Sequence, residues 1–345
     1  MLIRAGRASR AAVEAAVRRL YPGSELARVP EGLRVRVLRG APAAQRSRLE
    51  ALPGVEGVEL SSEEACPLAC ARGNLREGLA PRGGFTVIAG PCAVEDEESF
   101  VRTARALKRL GASMLRGALF KPRTYPYTFE GIGLRGLRAL EKAKRASGLP
   151  VLTEITDPRQ IGAVLRVSDA LQCGARNMRN YELLKELGRS GTTVLLKRAP
   201  DASVREWLLS AEYLLSAGDC RVLLCERGNS FGRGAGAGLD LKKALSALRE
   251  SRLPVLADPS HALGERGLVP RAALAAAAAG LDGLMVEVHP RPEHALVDGR
   301  QTLGLSEFGA LMRRLRALLA SGFSDARTAR KENDQRAGNH ASRRS

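Results

Sequence analysis

From Thr86 onward the chain repeats one pattern, a short apolar run followed by an amphipathic stretch with helical spacing. The runs Thr86–Ala89, Ser113–Arg116, Val151–Glu154, Ala170–Cys173, Thr193–Lys197, Arg221–Cys225, Pro254–Asp258 and Gly283–Glu287 predict strands. Between them, segments such as Glu98–Leu110, Ile132–Ala146, Tyr181–Gly188, Val204–Ala217, Leu241–Ser251 and Arg271–Ala279 gather apolar residues on one helical face. Strands alternating with helices read as parallel βαβ units. Eight of them over about 235 residues predict an α/β protein built on a (β/α)8 TIM barrel. An open doubly wound sheet is the alternative, but it usually needs fewer strands, and no Gly-rich dinucleotide turn opens this series.

The stretch before Thr86 carries a different pattern. Leu2-Ile3, Glu25–Val29, the alternating Leu33-Arg34-Val35-Arg36-Val37 and Val55–Leu60 read as strands. Ser9–Leu20 and Pro42–Leu52 read as helices, with Pro42 tolerated in a first turn. The order βαββαβ predicts a small α+β ferredoxin-like domain over residues 1–62. A Gly/Pro/Ser-containing connector at 63–84, the barrel at 85–323 and a tail at 324–345 complete the expected organisation.

Composition adjusts this picture in three places. Hydrophobic residues make up 44% of the 345 but aromatics only 4%, so the core must be built from Leu, Val and Ala. The most apolar run, Ala272 to Ala279, falls well short of the ~20 residues of a membrane span, and a cytoplasmic location is the default expectation. The Arg-rich Met1–Leu20 contains Glu14 and runs into patterned sequence, which argues against a transit peptide. Six cysteines (Cys66, Cys70, Cys92, Cys173, Cys220 and Cys225) stand without a secretory signal, so disulfides are not expected, and Cys66 with Cys70 lacks the second pair of a zinc ribbon. The net charge of +18 suits anionic ligands or nucleic acid, yet no nucleic-acid motif or aromatic–basic interleaving is present. Ala326–Ser345 sets six basic residues against Glu332 and Asp334 without an apolar pattern, and reads as a disordered tail.

The candidate chemistry lies where the strands end. Cys92, Arg116, Glu154, Arg176, Lys197, Glu226 with Arg227, Asp258 with His261, and Glu287 each end a strand run or follow it closely. A parallel barrel opens all eight C-terminal ends onto one mouth, so these residues would converge. Cys92, His261, Glu287 and Asp298 would then form a mixed sulfur, nitrogen and oxygen set suited to one divalent ion: Mn, Fe, Zn or Co. Taken singly, each also reads as a buried thiol, a capping histidine or a surface carboxylate. Arg116, Lys121, Arg123, Arg176, Lys197 and Arg227 would crowd the same mouth, a costly arrangement unless more than one anionic group neutralises them.

Seven segments occur in a telling order: Ala89-Gly90-Pro91-Cys92, Lys121-Pro122-Arg123-Thr124, Gly174-Ala175-Arg176-Asn177, Leu196-Lys197-Arg198, Cys225-Glu226-Arg227-Gly228, Asp258-Pro259-Ser260-His261 and Glu287-Val288-His289-Pro290. Together they resemble 3-deoxy-D-arabino-heptulosonate-7-phosphate (DAHP) synthase, type I, in the form with a short N-terminal ferredoxin-like regulatory domain. The motifs span roughly Phe85 to Phe323, whereas the N-terminal unit matches only in size and predicted topology.

The resemblance implies condensation of phosphoenolpyruvate with erythrose 4-phosphate, the opening step of the shikimate pathway to aromatic amino acids. It implies a divalent metal on Cys92, His261, Glu287 and Asp298. It implies phosphoenolpyruvate held by Arg116, Lys121, Arg176, Lys197 and Arg227, and aldose phosphate met by Arg123 and Thr124 with Lys121 nearby. Lys121, Lys197, Glu226 and His261 become the catalytic candidates, Glu226 orienting Arg227 or the attacking water. It further implies a homo-oligomer, usually a tetramer, and an aromatic amino-acid effector, tyrosine or phenylalanine. Two rivals stand beside this reading. One is the related 3-deoxy-octulosonate-8-phosphate synthase, which takes arabinose 5-phosphate and which Gly228-Asn229-Ser230-Phe231-Gly232 resembles more closely. The Gly-rich Ala235–Asp240 also departs from the Thr-Arg-Asn-Thr-Leu-Asp expected of the heptulosonate enzyme. The other rival is a non-catalytic basic binding or regulatory protein, against which the full ligand and base set argues.

Overall fold

The computed structural model describes residues 1–36, 42–70, 84–230 and 238–321. Part of the expected connector (71–83), part of the divergent Asn229–Gly238 loop (231–237) and the expected basic tail lie outside the described residues. The chain divides into two units between Ala71 and Arg72.

In the first unit, strands β1 (Leu2–Ala5), β2 (Glu25–Val29), β3 (Gly32–Arg36) and β4 (Val55–Glu59) form an antiparallel sheet ordered β2-β3-β1-β4. The helices Arg10–Leu20 and Pro42–Glu50 complete a βαββαβ ferredoxin-like layer pair, as the pattern predicts. Alternation does the work: Ile3, Ala5, Leu33, Val35 and Val58 are buried, and Val13, Val17 and Leu49 of the helices are buried with them. Ser62–Ala65 and Pro67–Cys70, expected as connector, are two short helical turns; Ser61 and Glu64 cap the first reciprocally.

In the second unit, strands β5 (Thr86–Gly90), β6 (Met114–Arg116), β7 (Val151–Ile155), β8 (Ala170–Cys173), β9 (Thr193–Lys197), β10 (Arg221–Glu226), β11 (Val255–Ala257) and β12 (Gly283–Glu287) close into a parallel barrel. All but β10 are buried along their whole length, which is why these strands read as apolar runs and not as alternating ones. Ile88, Met114, Leu152, Ala170, Leu195, Cys225, Leu256 and Met285, one from each strand, make a common interior cluster. The barrel is therefore filled, not hollow.

Capping sets where the surrounding helices begin. Asp96 accepts from the Ser99 amide at 2.7 Å at the start of Glu97–Leu110, and Ser203 forms a capping box with Glu206 before Val204–Ala217. Trp207, the single tryptophan, is buried in that second helix, and its indole N–H donates to the Leu196 carbonyl at 3.2 Å. The helix expected at Ile132–Ala146 is instead a 3-10 turn, Gly133–Gly136, leading into Leu137–Ser147. Between β7 and β8 the helix shrinks to Ile161–Val164, and the last barrel helix is Leu305–Ala320.

Candidate active site

Four donors meet at the C-terminal ends of β5, β11 and β12. Sγ of Cys92, an imidazole nitrogen of His261 and carboxylate oxygens of Glu287 and Asp298 all lie within 4.8 Å of one another. The Cys92 thiol donates to Asp298 Oδ2 at 3.1 Å, and His261 Nε2 stands 3.2 Å from Glu287 Oε1 and 3.7 Å from Asp298 Oδ2. Backbone constraints bring them there. Gly90, at φ +152°, lets the chain pass so close to β6 that a Cβ would lie 2.1 Å from the Arg116 carbonyl. Asp258 caps the helical turn Pro259–Leu263 by accepting from the His261 amide at 3.1 Å. Asp298 itself takes φ +57°, and it is the single non-glycine residue with positive φ among the described residues.

The electrostatics suit a cation. Burial, with Glu287 next, pushes the Cys92 thiol well above its ordinary range. Burial lowers His261 despite the carboxylates around it, leaving a neutral imidazole at pH 7. Burial opposes charge on Asp258, but His261 and Lys197 outweigh it and hold that carboxyl well below the usual range. His261 Nδ1 is 2.7 Å from Asp258 Oδ2, so a ring donating from Nδ1 turns the Nε2 lone pair toward Glu287 and Asp298. Asp298 is likewise low: His261, Lys121, the Cys92 thiol and Arg123 outweigh its burial. One atom is left over. Glu287 Oε1 is buried and lacks a hydrogen-bond partner among the described residues, a costly state unless something else satisfies it. A cysteine, a histidine and two carboxylates at these separations fit one divalent transition metal.

Bases ring the same mouth. Arg116, on β6, is 2% exposed; its Nη2 lies 3.5 Å from Glu287 Oε1, while its Nη1 is buried and without an acceptor. Lys121 Nζ sits 3.3 Å from Glu154 Oε2, and although burial resists its charge, Cys92 and Glu154 raise its affinity for a proton. Lys197 bonds Asp258 and stands 3.4 Å from His261 Nδ1. Arg227 donates to the carbonyls of Ser230 and His261, and burial lowers its pKa. Farther out, Arg176 Nη2 donates to Thr124 Oγ1 at 3.1 Å, and Arg123 Nε to Thr128 Oγ1 at 3.0 Å.

Glu226 has a partner that its place beside Arg227 does not suggest. Its carboxylate is buried against Arg198 and accepts from the Gly228 amide at 2.7 Å. Neighbours on a strand point to opposite sides, and β10 pairs with β9 so that Cys225 faces Lys197. Just beyond that pair, the Arg198 amide donates to the Cys225 carbonyl at 3.0 Å. Arg198 also donates to the carbonyls of Ala199, Pro200 and Ala202 at 2.8, 2.9 and 3.0 Å and of Gly228 at 3.1 Å. It therefore pins the loops after β9 and β10. Glu154, between Lys121 and the Gln172 amide, is a second residue the sequence reading left without a role. It also explains Gly174, where a Cβ would fall 2.1 Å from Glu154 Oε1.

A profile of the DAHP synthetase I family matches residues 77–320. The chain belongs to the DAHP synthetase I family. It is thus a carbon–carbon bond-forming transferase of aromatic amino-acid biosynthesis, built on a TIM barrel. Phospho-2-dehydro-3-deoxyheptonate aldolase of Thermotoga maritima is 43% identical over 237 residues, 68% of this chain and 70% of that one. Its crystal structure superposes with a TM-score of 0.76 at 34% identity, covering 93% of this chain and 97% of that one. A 2-dehydro-3-deoxyphosphooctonate aldolase of Syntrophotalea carbinolica is 34% identical over 250 residues, 67% of this chain and 90% of that one. No helix among the described residues is long and apolar enough to cross a membrane.

Proposed function

We propose that the protein condenses phosphoenolpyruvate with erythrose 4-phosphate, in a metal-dependent reaction that consumes one water and releases one phosphate. The observation that carries the reading is a pair of buried, unsatisfied atoms in one mouth. Among the described residues, Glu287 Oε1 has no hydrogen-bond donor and Arg116 Nη1 no acceptor. A cation would satisfy the first and an anion the second.

Cys92, His261, Glu287 and Asp298 would hold the metal, whose contribution when bound is Lewis acidity at the aldehyde oxygen. Arg116, Lys121, Arg176, Lys197 and Arg227 bind the phosphate and carboxylate of phosphoenolpyruvate, and Arg123 and Thr124 take the aldose phosphate. The enol carbon then bonds to the aldehyde carbon, and Lys197, beside Asp258 and His261, donates a proton to the developing alkoxide. Water adds at C-2 of the former phosphoenolpyruvate, and phosphate leaves from that carbon while Arg116 and Lys121 stabilise the charge. Glu226 acts at one remove, by fixing Arg198 and the Gly228 amide.

The test is phosphate release from phosphoenolpyruvate with erythrose 4-phosphate or arabinose 5-phosphate, before and after EDTA and after Mn2+ is restored. Release with the four-carbon sugar, lost on chelation and regained with metal, supports the assignment. Release with arabinose 5-phosphate alone would move the protein to the octulosonate activity, which the Gly228–Gly232 segment favours. Activity indifferent to chelation would remove the metal. The protein is further proposed to act as a homo-oligomer, with an aromatic amino acid as effector of residues 1–62.

A further inference from the structure

The segment Leu296–Thr302 supplies one donor to the cage, Asp298, yet it is fastened to the segments that carry the other three. At its start, the Leu296 amide donates to Glu95 Oε1 at 2.7 Å, and Glu95 stands three residues after Cys92. Glu95 Oε2 is in turn 3.6 Å from His289 Nε2, two residues after Glu287. Beyond Asp298, Arg266 Nη2 donates to the Gly299 carbonyl at 3.1 Å and the Arg266 amide to the Arg300 carbonyl at 3.0 Å. Arg266 stands five residues after His261. Gln301 then donates to Glu287 Oε2 at 2.7 Å, which leaves Oε1 as the oxygen beside His261.

Asp298 needs such fastening. It is held at φ +57°, where a non-glycine residue persists only when its surroundings over-determine it. The Gln301 amide and Thr302 Oγ1 both donate to its carbonyl, at 3.2 and 2.9 Å.

We infer that Leu296–Thr302 is a bracket for the metal cage, with Glu95 and Arg266 as positioning residues that hold Asp298 within reach of the ion and Gln301 selecting the oxygen Glu287 presents. The inference rests on the metal reading above. It adds that the affinity of the cage is set by residues that do not touch the ion. Loss of an outer partner of this kind typically costs 10–100-fold in metal affinity.

Mn2+ binding to the full chain, stripped of metal and without substrates, tests it by electron paramagnetic resonance of the free ion. Glu95→Ala and Arg266→Ala should each weaken binding by about 10-fold or more, with the melting temperature of the stripped protein little changed. Glu95→Gln, which keeps an acceptor for Leu296, should recover most of the affinity. In an Asp298→Ala background, Glu95→Ala should have no further effect, because the bracket acts through Asp298. Binding within twofold of the parent in both single variants overturns the bracket while leaving the metal reading intact. An equal penalty with and without Asp298 also overturns it. Failure of the parent to bind Mn2+ at all overturns the metal reading and the bracket together. Should Arg266→Ala fail to fold, the Glu95 series decides alone.

Discussion

The two halves of the barrel mouth are built differently. On one side, Cys92, Arg116, Lys197, Asp258 and Glu287 are buried and tied to each other or to neighbouring backbone. On the other, Arg176 and Thr124 are exposed, Arg123 is half-buried, and the segment between Thr124 and Thr128 shows Tyr125 at 62% and Tyr127 at 85% exposure. Paired charges taken out of water are expensive, so the first side is held mostly by pairs within the protein before any substrate arrives, with Glu287 Oε1 and Arg116 Nη1 left for ligands. The second side is solvated, so shaping it around an aldose phosphate costs little of the fold's stability. Such a site separates what must be rigid, the metal cage and the bases nearest it, from what meets a variable partner.

The largest break of that contrast should come from Arg198→Ala. It leaves the carboxylate of Glu226 buried without its cation, a loss of about 3–5 kcal/mol. At roughly 2–4 °C per kcal/mol for a barrel of this size, calorimetry should show the melting temperature falling by roughly 6–20 °C. A shift below about 2 °C would mean that the pair is not the brace of the β9 and β10 loops. Next, Cys92→Ala should cut metal-dependent phosphate release by about 100-fold or more while circular dichroism stays unchanged, in line with loss of one of the residues that would hold a Lewis-acidic ion. Full turnover in that variant would take Cys92 out of the cage. On the open side, Arg123→Ala should raise KM for the aldose phosphate about 10-fold, the scale of one charge-assisted contact, and hardly move KM for phosphoenolpyruvate. Equal shifts in both constants would dissolve the division between the halves. The smallest effect belongs to Tyr127→Ala, a surface change expected to stay within about 0.5 kcal/mol of parent stability. A clear drop in melting temperature there would show the open side to be structural after all.

Much of this was legible in the chain because burial writes itself into composition. Strands covered on both faces must be apolar throughout, so β8, β9 and β12 could be bounded to the residue, and the polar residues ending them had to face one mouth. Cys92, His261, Glu287 and Asp298 were readable as a set for that reason. The pairing of Glu226 with Arg198 was not foreseen, because Glu226 sits beside Arg227 in sequence and adjacency along a strand is separation in space. The alternation rule was the available signal: Lys197 and Arg198 cannot both enter the mouth, so one of them had to find an acid elsewhere. Glu95 and Arg266 carried no such signal. Their partners are main-chain groups of a loop some 200 and 33 residues away, and a backbone carbonyl has no letter in the sequence.

The filled barrel interior has a kinetic consequence. A cluster drawing one residue from each strand fills the barrel's interior, so what enters by the mouth must leave by it. On the proposed roles, the bases for phosphoenolpyruvate include the buried Arg116 and Lys197, whereas those for the aldose phosphate stand at the rim. On those roles, a site open at one end should load in order of depth: the three-carbon substrate first, the sugar phosphate on top of it. An aldose phosphate arriving early would then block the pocket without reacting, and excess sugar phosphate should slow the enzyme in competition with phosphoenolpyruvate.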